Sequence, residues 1–254
     1  MNKYFIVSDV HGFFDELMVA LNNKGFDVNN HEHKLVVCGD LFDRGSKAVE
    51  LLEFVRGLGD RFIYVRGNHE DLLFECYQEL MHDCFPGYHH KSNGTIDTLT
   101  QFTGLTASQL YCYTDERNKI FDEKLKPILD WINSKSVNYF EFGDYVCVHG
   151  WLPVDDDIDE FRKADNKSWE RARWSNGMAV WKYNQFRPRG KTVICGHWHC
   201  SWGWSYIRQQ RKEFPAKNRK DWLQSFEPFI DDGIVAIDAC TAYSGIVNCI
   251  VVED

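Results

Sequence analysis

Short apolar runs punctuate this chain, and each ends in a polar cluster: FIVSDVHG, LVVCGDLFDRG, IYVRGNHE, VCVHG and VICGHWH. Four of these runs are β-branched and nearly continuous in hydrophobicity, the pattern of strands buried on both faces. The spacing predicts strands over 3–8, 34–38 and 61–65, alternating with helices over about 12–23 and 46–57 and with a third that follows GNHE and runs to roughly 83. Such β-α-β-α-β-α order predicts a layered α/β core with right-handed crossovers. Between about 84 and 122 the pattern turns irregular and reads as an inserted cap with one short helix, followed by a helix over 122–134. Strands return over 137–142 and 145–148 around a tight turn at Gly143 and Asp144. After a polar stretch rich in Trp and Arg, further strands are expected over 192–195, 234–237 and 246–252. No internal repeat or low-complexity segment interrupts this order.

The polar clusters carry the chemistry. Asp9, His11, Asp40, Asn68, His149 and His197 each follow an apolar run, where a strand gives way to a loop. Strand ends on one edge of a mainly parallel sheet converge, so ligands distant in sequence can share one site. Carboxylate, amide and imidazole without thiolate suit a pair of divalent ions such as manganese, iron or zinc. The pattern reads as a two-metal hydrolase.

Composition narrows the class. The 254 residues are 44% hydrophobic, enough for one sizeable core, so a single domain over 1–254 is expected, with insertions near 84–122 and 198–232. The nine cysteines are odd in number, and Cys38, Cys147, Cys195 and Cys249 fall inside strand-like runs. Buried reduced thiols fit better than a disulfide framework and point to the cytosol. No signal peptide or membrane span is evident. A net charge of −9 disfavours general nucleic-acid binding, whereas a phosphorylated substrate remains compatible because bound metals would invert the local field.

DVHG, GDLFDRG, GNHE, VHG and GHWH, in this order, resemble the signature of the calcineurin-like metallophosphoesterases. GDLFDRG followed by GNHE is similar to the phosphoprotein phosphatase branch, which includes bacterial and phage serine/threonine phosphatases and symmetrical diadenosine tetraphosphatases. The closing IDACTAYSGIVNCIVVE resembles the family's Asp-Thr-Gly strand pair, with Ala239 and Cys240 where Thr and Gly are commoner. The resemblance implies a four-layer α/β/β/α sandwich of two mixed β-sheets flanked by helices, with a small cap insertion. It also implies that Asp9 and His11 bind a first metal, that Asp40 bridges, and that Asn68, His149 and His197 complete a second. His199 matches the GHxH form of the broader superfamily, whose second histidine binds the first metal. The protein phosphatase branch usually lacks it. His69 is implied as general acid with Asp43 as its partner, and Arg44 as a phosphate ligand. A second phosphate arginine is expected in SWERARWSNG, where Arg171 and Arg173 both qualify and Arg173 is slightly favoured.

The implied reaction is hydrolysis of phosphomonoesters by direct attack of a metal-bridging hydroxide. Manganese is the favoured metal, and a Cys-x5-Arg nucleophile motif is read as lacking. A serine/threonine protein phosphatase is the leading label. The alternatives are a dinucleoside polyphosphate or nucleotide hydrolase, and a non-catalytic scaffold on the same fold. The Trp-rich segment 198–222 reads as a packed hairpin or helix, with a base-stacking lid as its functional alternative. HDCFPGYHH, His82 to His90, lacks the paired spacing of a zinc site and reads as a surface loop.

Overall fold

The computed structural model describes residues 1–82, 85–154, 157–210 and 225–254. Two five-stranded sheets form its centre. The first has the order β10-β1-β2-β3-β4, built from β1 (Lys3–Val7), β2 (His33–Cys38), β3 (Phe62–Val65), β4 (Ser136–Val137) and β10 (Ile250–Glu253). Strands β1 to β4 are parallel, and β10 closes the edge antiparallel to β1. The second has the order β5-β6-β7-β9-β8, from β5 (Phe140–Phe142), β6 (Tyr145–Cys147), β7 (Thr192–Cys195), β8 (Phe229–Asp231) and β9 (Ile234–Ala236). Its centre, β6-β7-β9, is parallel, with antiparallel strands at both edges.

The two-residue period of the strands distributes side chains among three cores. Tyr4, Ile6, Val36, Cys38 and Val65 point from the first sheet toward Cys147, Ile194, Val235 and Ile237 of the second. Their neighbours Phe5, Val7, Leu35, Val37 and Tyr64 face the helices α1 (Phe14–Asn23), α2 (Ala48–Gly57) and α3 (Asn68–Met81). On the outer face of the second sheet, Val146, Val193, Cys195 and Ile234 meet Trp151, Trp169, Trp181 and Phe229. The result is the expected helix–sheet–sheet–helix layering, and it explains the near-continuous apolar runs: both faces of the central strands are covered.

Three expectations need correction. The cap holds four short helices over its described residues, not one: Tyr88–Ser92, Thr95–Thr103, Ala107–Tyr111 and Asp115–Ile120. Their apolar residues, including Ile96, Leu99, Phe102 and Leu110, belong to the same core as α1 to α3, so helices too short to show a clear period are fixed by tertiary burial. The strand expected over 137–142 is divided: Ser136–Val137 pairs in the first sheet and Phe140–Phe142 in the second, so the chain changes layers between them. Strand β8 was not anticipated at all.

The first half of the Trp-rich segment is the helix Ser201–Gln210. Trp204 donates its indole N–H to the Glu227 carbonyl and meets Phe229 edge-on, so this side chain packs on its own domain, whereas Trp202 is 52% exposed; residues 211–224, including Trp222, lie outside the described residues. The described cysteines are free thiols, and Cys38, Cys147, Cys195 and Cys249 are buried as expected. Among the described residues no helix is long and apolar enough to cross a membrane.

Candidate metal centre

The loops after β1, β2, β3, β6 and β7 meet over one end of the two sheets and deliver Asp9, His11, Asp40, Asn68, His149 and His197. All six converge, and apart from the partly covered His197 all are buried. Asp9, His11, Asp40 and His197 have positive φ, between 50° and 64°, a region that costs a non-glycine residue roughly 1–2 kcal/mol. The turns are held there by surrounding bonds. Thr241 donates to the Asp9 carbonyl at 2.9 Å, and the backbone N–H of His197 donates to Asp9 Oδ2 at 3.0 Å. Close approach demands glycine beside the ligands: a Cβ on Gly67 would lie 2.2 Å from Asp40 Oδ1, and one on Gly39 2.3 Å from His149 Nδ1.

Asp40 sits at the centre. Its Oδ2 faces His11 Nε2 at 3.8 Å and His69 Nε2 at 3.9 Å, while its Oδ1 faces His149 Nε2 at 3.3 Å. Two groups of close ligand atoms result, His11 with Asp40 and His69, and Asp40 with His149 and His197; Asp40 belongs to both, as a bridging carboxylate would. The imidazole tautomers agree. His11 Nδ1 lies 3.0 Å from the Phe42 carbonyl and His149 Nδ1 2.8 Å from that of Cys38. A carbonyl only accepts, so each Nδ1 donates and each Nε2 is the nitrogen turned toward the cluster.

The electrostatics ask for cations. Burial, with Asp40 nearby, pushes the Asp9 carboxyl up to about 6. Burial and the Asp9 charge push Asp238 up to about 7. Burial opposes charging His149, yet the Asp40 and Asp9 carboxylates outweigh it and raise that imidazole to about 10, showing how strongly this position attracts positive charge. The Asn68 and Asp40 oxygens lie 2.8 and 3.3 Å from His149 Nε2. Oxygen and imidazole donors converging in a buried acidic pocket fit two divalent ions; Asp9, His11 and Asp40 would hold one, and Asp40, Asn68, His149 and His197 the other.

Beside the cluster, His69 Nδ1 lies 2.7 Å from Asp43 Oδ2, which also accepts the Thr95 hydroxyl at 2.9 Å; the Asp43 N–H donates to Thr98 Oγ1. Burial disfavours the charged form of His69, but Asp40 and Asp43 prevail and raise its pKa. Arg44 places Nη1 2.9 Å from His11 Nε2 and Nη2 3.1 Å from His69 Nε2. Arg44 and His69, with Asp9, His11, Asp40, Asn68, Asn93, Trp174, His197, His199, Asp238 and Cys240, line a cavity of about 130 Å³.

His199 lies on the cavity wall but outside both tight groups, on the side of Asp238. The two candidate second arginines are not brought in. Arg173 is 7% exposed and gives Nη1 to Asp71 and Nη2 to Asn138, beside a different depression. Arg171 is exposed and donates to Ser168. The sequence does contain one Cys-x5-Arg spacing, Cys38 to Arg44. Cys38 is wholly buried between the sheets, however, and burial holds its thiol well above the ordinary range, so it is no nucleophile.

Sequence reading passed over Glu70, Asp238, Trp174 and the two threonines. Glu70 accepts N–H bonds from Asp40, Leu41 and Gly67 at 2.7–3.0 Å, tying the loop after β2 to the start of α3. Asp238 closes the run IVAID, the same strand-end signal that marked Asp9. Cys240, where the family favours Gly, adopts φ 53°, so the turn keeps the shape that glycine would give it.

The comparisons agree with this geometry. A bis(5'-nucleosyl)-tetraphosphatase, symmetrical, of Actinobacillus succinogenes is 33% identical over 162 residues, 62% of this chain and 47% of that protein. The asymmetrical bis(5'-nucleosyl)-tetraphosphatase PrpE of Bacillus subtilis is 27% identical over 165 residues, 60% of this chain and 59% of its own. The matched stretches thus span less than two thirds of either relative. In fold, the chain resembles a cold-active protein-tyrosine phosphatase of a psychrophilic Shewanella (TM-score 0.54, 15% identity, covering all of this chain and 76% of that one). The calcineurin-like phosphoesterase family model matches residues 3–228, and the chain belongs to that family.

Proposed function

We propose that the protein is a dimetal phosphoesterase acting on dinucleoside polyphosphates. The carrying observation is Asp40 facing two sets of ligand atoms, with the Asp43–His69 pair and Arg44 at the same cavity. Divalent ions held there would supply Lewis acidity and lower the pKa of a water. Arg44 offers a planar fork of N–H donors matched to two phosphoryl oxygens. With Nδ1 held by Asp43, His69 presents Nε2 to the cavity and is placed to protonate the departing oxygen. Thr95 fixes the other side of this pair through the same Asp43 oxygen.

The substrate class rests on two supports. Both curated relatives named above are bis(5'-nucleosyl)-tetraphosphatases. In addition, Trp174 lines the cavity while leaving 52% of its surface exposed, edge-on to His197 at 5.7 Å. An exposed indole beside a phosphate site offers a stacking face to a nucleobase, worth roughly 1–3 kcal/mol.

The test is hydrolysis by the manganese-reconstituted protein of diadenosine tetraphosphate against a phosphoserine peptide. Higher kcat/KM for the nucleotide, with Trp174→Ala raising its KM about tenfold and leaving p-nitrophenyl phosphate hydrolysis unaffected, is expected. Faster peptide turnover would replace this reading with a protein phosphatase.

A further inference from the structure

A second group of imidazoles and carboxylates lies apart from the catalytic cavity. One ligand atom each from Glu75, His89 and His90 falls within 4.8 Å of the others. Glu75 belongs to α3, and the histidines to the helix Tyr88–Ser92 packed beside it. His89 Nε2 is 3.8 Å from Glu75 Oε2, and His90 Nε2 is 3.2 Å from Glu79 Oε2. Glu79 follows Glu75 by one helical turn and therefore shares its face. Gly87 donates its N–H to Glu79 Oε2 at 3.0 Å, which fixes that carboxylate at the group's edge.

The independent observation is His90. Its side chain is wholly buried, yet Nδ1 has no hydrogen-bond partner and Nε2 meets the Glu79 carboxylate at 3.2 Å without forming a hydrogen bond. A buried imidazole that makes no hydrogen bond calls for an explanation, and an ion between it and the carboxylate is one of the few available. The His89 and His90 rings lie 4.0 Å apart.

We propose that Glu75, His89 and His90 form a further metal site of the zinc type, with the fourth position taken by Glu79 or water. Two imidazoles and carboxylate oxygens suit zinc as a borderline cation. The sequence spacing concealed the site because half of its donors come from α3, outside the HDCFPGYHH segment. The metal would pin the helix Tyr88–Ser92 to α3. That helix leads directly into the cavity wall: Asn93 lines the cavity, a Cβ on Gly94 would lie 2.3 Å from the Arg44 nitrogen, and Thr95 bonds Asp43.

The test counts zinc. Wild type and the Glu75→Gln/His89→Ala variant are loaded with zinc, freed of loosely bound metal by gel filtration, and analysed by elemental mass spectrometry. Both positions are about half exposed, at 52% and 46%, so the fold should tolerate the change. The wild type is expected to hold one more zinc per chain than the variant, whatever the occupancy of the catalytic centre. Equal zinc content would overturn the site. Should the double variant fail to fold, His89→Gln alone must still lose one zinc, and retention of the full content there would overturn the proposal equally.

Discussion

At the residue scale, the catalytic cavity depends on side chains whose neighbours leave them little choice. His69 is held by Asp43 on one nitrogen and faces the cavity with the other. His69→Ala should therefore leave metal content intact while slowing hydrolysis of a phosphoester with a poor leaving group by roughly 10²–10⁴-fold; elemental analysis beside steady-state kinetics checks it, and an unchanged rate would remove the acid role. Asp40 is different in kind. It faces both groups of ligand atoms, and its carboxyl is held well below its ordinary range, with burial opposed by the His149 and His69 charges. Asp40→Asn keeps the shape and loses the charge, so the expected result is a protein that folds but retains little metal after dialysis. Full metal content and full activity in that variant would show that the bridge lies elsewhere.

At the element scale, Glu70 joins β2 to α3. Three backbone N–H groups converge on its two oxygens, and burial raises its pKa despite them. In Glu70→Gln one of the two acceptor oxygens becomes an amide donor facing N–H groups. The expected cost is about 1–3 kcal/mol, read as a lower urea midpoint, because buried donors lose their acceptor. A neutral outcome would mean that the loop after β2 is held by its other contacts. Such ties are where sequence reading stopped. The strand ends were legible because a strand buried on both faces leaves a continuous apolar run that stops abruptly at a polar ligand. Glu70 and Asp238 sat in the same motifs, but their roles depend on which backbone groups fold over them, which spacing does not encode. The reverse holds for Arg173. Its place just before Trp174 in SWERARWSNG suggested phosphate binding, while partners distant in sequence, Asp71 and Asn138, engage it. The cap helices were illegible for another reason: stretches such as Tyr88–Ser92 are shorter than two helical turns and show no period until packed.

At the scale of the whole molecule, the interlayer core sets how the two sheets sit. Ile194 is fully buried between them, and Ile194→Ala should cost about 2–5 kcal/mol, the usual range for such a truncation, measured as a shift in denaturant midpoint at unchanged slope. At the rim of the second sheet, Glu141 takes two hydrogen bonds from Arg162 and is also approached by Lys191. The Arg162 bonds hold its carboxyl below the ordinary range. A depressed carboxyl stabilises the fold above its unfolded pKa, and that contribution disappears as pH falls through the folded value. Wild type should thus exceed Glu141→Gln by less than about 1 kcal/mol at pH 7, and the two should converge in acid. A gap persisting at pH 2 would locate the effect in packing.

The candidate ligands come from both sheets: Asp9, His11, Asp40 and Asn68 follow strands of the first, and His149 and His197 strands of the second. An ion bound by Asp40 together with His149 and His197 would therefore rivet one layer to the other. Any slippage along the interlayer core would separate the rivet's two halves before a single strand had frayed. On warming, catalytic output should fail while the far-ultraviolet dichroism is still native, and excess manganese should narrow the interval between the two events.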